Sequence, residues 1–519
     1  MADVSLPLLI QQMLLPEFYP HPVEAPIQLI QTHVSYVLLT GDYAYKVKKA
    51  VDFGFLDYST PAKRQHFCQE ELRLNQRAAA PIYLEVLPIS LIGEAYALGS
   101  TEHAVEYTVK MRQFPQSTLL SHLFQQGELT EALLRQLAEA IARFHQSTET
   151  NDYIRRFGTV EQVRQAIDEN YDQTVDFIGG PQTQQQFDTT KAYTNAFFAT
   201  QQALLQQRVA QDKIRACHGD LHLNNICNWQ GQLLLFDCIE FNEPFRFVDV
   251  MYDIAYIIMD LNLEGRTDLA ATFLSHYVEQ TGDWEGLQVL PLYVSRQSYV
   301  RAKVTSFLLN DPAVSEADKQ QAAATAAPYY TLACSTLQPR AGRVLIMSGL
   351  SGSGKSTVAR ELSRQLGAIH LRSDAVRKHL AGIPVQQRGE ESLYTAAMSH
   401  KTYERLTALG MLLASQGYTV ILDAKFDRQA TRQAAIAQAE DQNIPLTIVH
   451  CTAPMATLRQ RIQQRQGDIA DATLAVLEQQ TLEPFTPTAT NYLVKIDTAQ
   501  PLSPQLTTII GEQGIGEEQ

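Results

Sequence analysis

Residues 216–241 read ACHGDLHLNNICNWQGQLLLFDCIEF, which is H-G-D-x-x-x-x-N, then a hairpin, then an apolar strand ending in an acid. This order suits phosphoryl transfer. Asp220 can orient an acceptor hydroxyl, Asn225 can bind magnesium, and Asp237 after LLLF can bridge metal and phosphates. A second stretch, GLSGSGKS at 349–356, fits G-x-x-x-x-G-K-S/T between the strand RVLIM and the helix TVARELSRQL. Its glycines let backbone N–H groups face phosphate oxygens, and the helix N-terminus adds a positive dipole end. Gly349, Ser351, Gly352, Ser353, Gly354, Lys355, Ser356 and Thr357 thus form a nucleotide-binding set. Within it Lys355 is expected at the β/γ-phosphates and Ser356 on magnesium.

Further along, LRSDAVRKHL puts Asp374 at the carboxyl end of a strand, where open α/β sheets bind ligands. That position suits a general base, and Arg377 one helical turn later suits an anionic acceptor; a helix N-cap and a solvated arginine are the plainer roles. Asp423 ends VILDAKF and can organise magnesium through water or hold structure by hydrogen bonds, with Lys425 adding a cation nearby. Arg461 and Arg465 share one face of ATLRQRIQQRQGD, as a lid over phosphates or as solvated surface.

The elements that must position these residues differ between the two halves. Up to about residue 112 the pattern is strand-like, with Gly41-Asp42 a turn between YVLLT and YAYKV and with PAKRQHFCQEELRLNQR a charged helix. From about 115 to 210 it becomes helical and Gln-rich, so strands followed by helices predict a two-lobed α+β unit. After LQPRAG, five short apolar strands (RVLIMSGL, AIHLRSD, YTVILDAKF, LTIVHCT, YLVKIDT) alternate with helical segments, which predicts an α/β domain with a five-stranded parallel sheet. The expected boundaries are 1–335 for the first domain, 336–342 for a linker, 343–500 for the second domain and 501–519 for an acidic tail.

The H-G-D segment with its hairpin resembles the aminoglycoside-phosphotransferase branch of the protein-kinase-like fold, over about residues 25 to 330. The resemblance nominates Lys46 in AYKVKK for the α/β-phosphates, with Lys48 on the same strand face as second choice. It also nominates Glu71 in QEELRLNQR as the helix partner of that lysine, with Glu70 close behind and surface charge the alternative. The resemblance further implies that KMRQFP is a hinge toward adenine, that Asp253 in FVDVMYDIAYIIMDL braces the catalytic loop, with Asp249 one turn before it, that His218 shares this bracing role, and that His222 is a packing or acceptor-side residue and not a ligand. No G-x-G-x-x-G precedes Lys46, so QTHVS at 31–35 must serve as the phosphate-side loop. The tripeptide Asp52-Phe53-Gly54 precedes H-G-D and cannot be the metal loop; it reads as a connector whose Phe53, Phe55 and Leu56 pack beneath the small lobe.

Residues 343 to 500 resemble the small P-loop kinases that phosphorylate hydroxyls or small phosphorylated acceptors, such as gluconate kinase, polynucleotide 5'-kinase, chloramphenicol phosphotransferase and the zeta-toxin kinases. The whole order is similar to a bacterial class of bifunctional proteins in which an aminoglycoside-phosphotransferase-like domain precedes a P-loop kinase-like (AAA-type) ATP-binding domain. The resemblance implies ATP and Mg2+ as cofactors and γ-phosphoryl transfer to a small-molecule hydroxyl acceptor at two sites. The alternatives are an ATP-binding regulatory or toxin-control protein in which one domain senses nucleotide, or a polynucleotide-end kinase in the C-terminal domain.

Composition bounds these readings. At 519 residues, with 45% hydrophobic residues, the chain has core material for more than one domain. A net charge of -14 argues against nucleic acid or an anionic membrane as general partners. The segment VDVMYDIAYIIMDL is too short and too charged to span a bilayer. No Lys or Arg precedes Lys46, so the expected chain starts near Met1 without a targeting peptide and the expected compartment is the cytoplasm. Six cysteines never form C-x-x-C, which speaks against a zinc site or a disulfide framework.

Overall fold

The computed structural model describes residues 6–312, 314–464 and 474–512. It divides into two compact units. The first comprises Met1–Thr130, Arg143–Asp260 and Leu292–Thr336; the second comprises Glu131–Ala142, Leu261–Pro291 and Leu337–Gln519. Punctuation in the sequence predicts one cut at 336–342; by packing, the second unit also takes in 131–142 and 261–291.

The first unit opens with a six-stranded antiparallel sheet of β1 (Gln28–Gln31), β2 (Ser35–Leu39), β3 (Tyr43–Lys48), β4 (Tyr83–Ile92), β5 (Ala95–Leu98) and β6 (Ala104–Arg112), ordered β1-β2-β3-β6-β4-β5. Lys46 on β3 pairs with Val37 and Val109, so the lysine strand lies inside the sheet. The helix Pro61–Ala79 starts from Thr60, whose side chain accepts from the Lys63 N–H, with proline at its first position. Although charged overall, it buries Cys68, Glu71 and Asn75, which the 3.6-residue period places on one face. Beyond the sheet come β7 (Ile214–Ala216), the hairpin β8 (Ile226–Trp229) and β9 (Gln232–Leu235), and β10 (Phe247–Asp249), which pairs with β7. The helix Val250–Leu263 is apolar nearly all round, and such a helix belongs inside a core; Met251, Ile254, Ala255, Ile257 and Met259 are buried. In the connector 50–57, Leu56 is buried but Phe53 and Phe55 are 48% and 51% exposed, because they stack on each other instead of entering the core.

The second unit holds five parallel strands, β11 (Arg343–Ser348), β12 (Ile369–Arg372), β13 (Thr419–Asp423), β14 (Leu446–Thr452) and β15 (Leu493–Asp497), ordered β12-β13-β11-β14-β15. Leu345, Met347, Val358, Leu362, Ile421 and Val449 form its core. Leu502–Glu512, in the stretch expected as an acidic tail, is a helix that adds Leu506 and Ile509 to that core. The helix Thr267–Thr281 packs along β12, where the Ser275 hydroxyl accepts the His370 N–H at 3.0 Å. Nearby, the Tyr418 hydroxyl donates to the Leu287 carbonyl at 2.9 Å. No helix among the described residues is long and apolar enough to cross a membrane.

Candidate active sites

In the first unit the H-G-D loop is fixed by space and by hydrogen bonds. Gly219 has φ +91°, and a Cβ there would stand 2.7 Å from the Phe245 carbonyl oxygen, so no other residue fits without rebuilding the turn. The N–H groups of His218 and Gly219 donate to Asp253 Oδ2 and Oδ1 at 3.0 and 2.8 Å, and His145 Nε2 lies 3.0 Å from the same carboxylate. The His218 ring bonds the Phe236 carbonyl at 2.9 Å, which ties the loop to the end of the hairpin. Asp249, the alternative brace, pairs instead with buried Arg208.

Asn225 Nδ2 donates to the Asp220 carbonyl at 2.9 Å and to its Oδ2 at 3.3 Å, and His222 Nε2 stands 3.2 Å from Asp220 Oδ2. Burial opposes ionisation of Asp220, but His222, Arg301 and His218 outweigh it and bring the carboxyl down to about 2. It is therefore a carboxylate at neutral pH. Asp237 follows the hairpin at φ +63°, in the left-handed region that non-glycine residues rarely adopt, and its N–H donates to the Tyr83 hydroxyl at 3.2 Å.

Lys46 Nζ lies 2.6 Å from Asp237 Oδ1 and 2.8 Å from Glu71 Oε1. Lys48 Nζ takes the other oxygen, Glu71 Oε2, at 2.6 Å and also bonds Glu240, which accepts from the Tyr58 hydroxyl as well. Burial works against the Lys46 charge, and Asp237 and Glu71 more than offset it, so its ammonium is held well above the usual range. Burial likewise opposes the Glu71 charge, and the two lysines overcome it. Glu70 pairs outward with Arg73 at 2.6 Å.

In the second unit the loop 349–356 curls against its neighbours. Gly352 has φ +80°, and a Cβ there would meet the Leu458 carbonyl oxygen at 2.7 Å. The Gly349 N–H donates to the Lys425 carbonyl at 3.0 Å and the Ser353 N–H to the Leu350 carbonyl at 3.2 Å. Lys355 Nζ donates to the Leu350 carbonyl at 2.8 Å. The Ser351 N–H donates to Gln480 Oε1 at 2.9 Å, while Gln480 Nε2 donates to Ser351 Oγ at 3.0 Å. Arg461 reaches Thr498 Oγ1 and the Thr498 carbonyl at 2.8 and 2.7 Å and the Gly352 carbonyl at 3.4 Å, so it is fastened to the loop instead of lying on a solvated face. Arg465 lies outside the described residues.

A cavity of about 1110 Å³ opens over this loop and is lined by Lys355, Ser356, Thr357, Asp374, Arg377 and Asp423, among others. Arg377 Nη1 donates to Asp374 Oδ1 at 3.1 Å, and its guanidinium sits 4.9 Å from the centre of the Tyr394 ring. Asp374 is in the first turn of the helix Ser373–Leu380, whose N-cap is Arg372, so it does not cap that helix. Asp423 Oδ2 lies 3.1 Å from His370 Nε2. Burial opposes its charge, but His370, Arg372 and a hydrogen bond from Ser356 hold it far below the usual carboxylate range.

An uncharacterized protein of Mycobacterium tuberculosis is 30% identical over 462 residues, covering 88% of this chain and 90% of its own length, and one of Mycobacterium bovis matches equally. The chain belongs to their family. Residues 59–290 match the model of the phosphotransferase enzyme family and residues 344–484 match an AAA domain. An adenylyl-sulfate kinase of Deinococcus deserti is 34% identical over 127 residues, 23% of this chain and 62% of its own. Among solved structures, a choline/ethanolamine kinase family protein of Mesorhizobium loti is 11% identical, with a TM-score of 0.38, over 63% of this chain and 97% of its own.

The phosphotransferase-family segment thus includes residues 131–142 and 261–290, which pack with the second unit. Several site residues escape a motif search. Glu240 follows Asp237 by three in FDCIEF and was open to reading as a second acid of the hairpin end. Tyr58, Tyr83 and His145 carry no sequence signal, since each meets the site through tertiary packing alone.

Proposed function

We propose that the chain carries two ATP-dependent phosphotransfer sites, each moving the γ-phosphoryl group of ATP to a hydroxyl group of a small molecule. The observation that carries this reading is the first-unit constellation, in which an ionised Asp220 on a braced loop stands with Asn225, while Lys46 joins Glu71 to Asp237. Phosphoryl transfer needs little covalent help from a protein; it needs alignment and charge stabilisation, and these residue types supply both.

At the first site Asp220 accepts the proton of the acceptor hydroxyl as its oxygen bonds the γ-phosphorus and the bond from that phosphorus to the β-γ bridging oxygen breaks, releasing ADP. Asn225 commits its NH2 group to Asp220, which leaves its amide oxygen as a donor, and Asp237 adds a carboxylate that is 45% exposed. This oxygen set fits Mg2+, which binds through one or two protein oxygens plus phosphates. Lys46 steadies the α/β-phosphates and is itself kept charged and oriented by Glu71. At the second site the N–H groups of the P-loop and Lys355 receive the phosphates, Ser356 and ionised Asp423 form the oxygen set for Mg2+, and Asp374 is the base. When bound, the ion neutralises charge on the β- and γ-oxygens at either site.

The test is incubation of the full chain, Asp220→Ala and Lys355→Ala with ATP, Mg2+ and a metabolite extract, followed by a search for phosphoryl mass gains. Products lost in one variant belong to that site. ATP bound at both sites with no product from either would defeat the reading and favour nucleotide sensing.

A further inference from the structure

Asp423 does not stand beside Ser356 unaided, because the imidazole of His370 on β12 holds one of its oxygens. Strands β12 and β13 run parallel, with Arg372 opposite Asp423. Side chains alternate along a strand, so His370, two residues before Arg372, stands on the same face as Asp423 and diagonal to it. From there its Nε2 lies 3.1 Å from Asp423 Oδ2, with the two side chains 7% and 5% exposed. An ionised carboxylate only accepts, so Nε2 carries the hydrogen and donates it.

The ring is in turn held through its backbone. Strand β12 is the margin of the sheet, next to β13 alone, and the His370 N–H at this margin donates to Ser275 Oγ at 3.0 Å. Ser275 belongs to the helix Thr267–Thr281, which is part of the second unit although it lies within the phosphotransferase-family stretch 59–290. Support therefore passes from Ser275 to His370 and from His370 to Asp423, whose carboxylate also takes a hydrogen bond from Ser356. His370, Ser356 and Asp423 line the same cavity.

Burying the Asp423 charge calls for a hydrogen-bond donor of some kind. This donor also sets direction. A carboxylate gripped at Oδ2 cannot turn about its last single bond, so Oδ1 keeps one orientation. Partners that hold a metal-binding group in this way are commonly worth roughly 10–100-fold in metal affinity.

We propose that His370 is a positioning residue of the P-loop site, fixing the Asp423 carboxylate in the orientation that takes part in Mg2+ binding with the nucleotide. This rests on the reading of Ser356 and Asp423 as the oxygen set of that site. The ring acts only through Asp423.

The experiment measures binding, not turnover, on the full chain. AMP-PNP is titrated by calorimetry with Mg2+ and again with EDTA in its place, and the P-loop isotherm is the one that Lys355→Ala removes. The ratio of the two affinities at that site is the readout. In His370→Ala it is expected to fall about tenfold or more. The Mg2+-free affinity is expected to stay as in the unmutated chain, because the loop N–H groups are untouched. His370→Gln, whose amide N–H can replace Nε2–H, is expected to recover most of the ratio. The first-site isotherm in the same samples keeps its own ratio and serves as the internal control. Thermal melting is recorded for each variant, and His370→Asn, too short to reach Asp423, replaces His370→Ala if that variant does not fold. A ratio unchanged in His370→Ala, with or without a lower melting temperature, overturns the proposal. So does a ratio that falls as far in His370→Gln as in His370→Ala. Lys355-dependent binding that is absent from the unmutated chain, or insensitive to Mg2+ there, would instead reject the metal-nucleotide reading of the P-loop, so the two failures are told apart.

Discussion

Glu71 holds Lys46 with one carboxylate oxygen at 2.8 Å and leaves the other, at 2.6 Å, to Lys48. One buried acid thus serves two ammonium groups, and removing its charge leaves Lys46 with Asp237 alone and Lys48 with Glu240 alone. Glu71→Gln is expected to lower stability by about 3–5 kcal/mol, the range for breaking a buried ion pair. Urea unfolding measures it. Turnover at the first site is expected to fall by about 10²-fold, because Lys46 loses the partner that orients it. Unchanged unfolding and turnover together would remove Glu71 from both roles.

Gly352→Ala places a methyl group 2.7 Å from the Leu458 carbonyl at φ +80°. The backbone there must move, and the loop N–H groups move with it. AMP-PNP affinity at the second site is expected to drop at least tenfold while binding at the first site is retained, read as a loss of one of two calorimetric sites.

Gln480 occupies the Ser351 N–H that a phosphate oxygen would take. Gln480→Ala removes this competitor, and a neutral hydrogen bond is worth about 0.5–1.5 kcal/mol. AMP-PNP is therefore expected to bind the second site about two- to tenfold more tightly in equilibrium titration. Weaker binding would mean that Gln480 helps to hold nucleotide instead.

His276 makes a pH prediction whose sign is fixed. Its folded imidazole is held down to about 3 by burial and then by the surrounding Arg135, His370, Arg372 and Arg360, whereas the unfolded group protonates near its ordinary 6.5. As pH falls through 6.5 the unfolded chain gains a proton that the folded chain does not, so stability declines with acid until about pH 3. The slope for one such group is at most about 1.4 kcal/mol per pH unit. Buried Trp284, 5.2 Å from the His379 ring, reports on this unit by fluorescence in a Trp229→Phe background. Between pH 6.5 and 4.5, above the carboxylate range, His276→Asn is expected to flatten the decline.

Both motifs were legible because each is local. The H-G-D-x-x-x-x-N loop and GLSGSGKS name their donors within a few residues, and the five strands of the parallel sheet stand out as apolar runs. The strands Tyr83–Ile92 and Ala95–Leu98 were harder, since Pro88 and Gly93 interrupt the pattern. Glu240 was hidden for another reason: its value comes from Lys48 and Tyr58, nearly two hundred residues upstream. Segments 131–142 and 261–291 were unreadable as parts of the second unit, because helical periodicity gives an apolar face without naming what it will cover. The same holds for Arg135 and His276, which line the cavity over the P-loop from these segments.

The hydroxyl of Ser275 on the His370 amide has a practical consequence for dissection of the chain. Strand Ile369–Arg372 terminates its sheet, and the helix Thr267–Thr281 is what closes that margin. A fragment cut at residue 337 would keep all five strands and the whole nucleotide loop yet leave a raw hydrogen-bonding border, the kind that recruits a second chain. Such a fragment is expected to self-associate more than the full chain in sedimentation experiments, and equal association of the two would show that the helix does not protect this border.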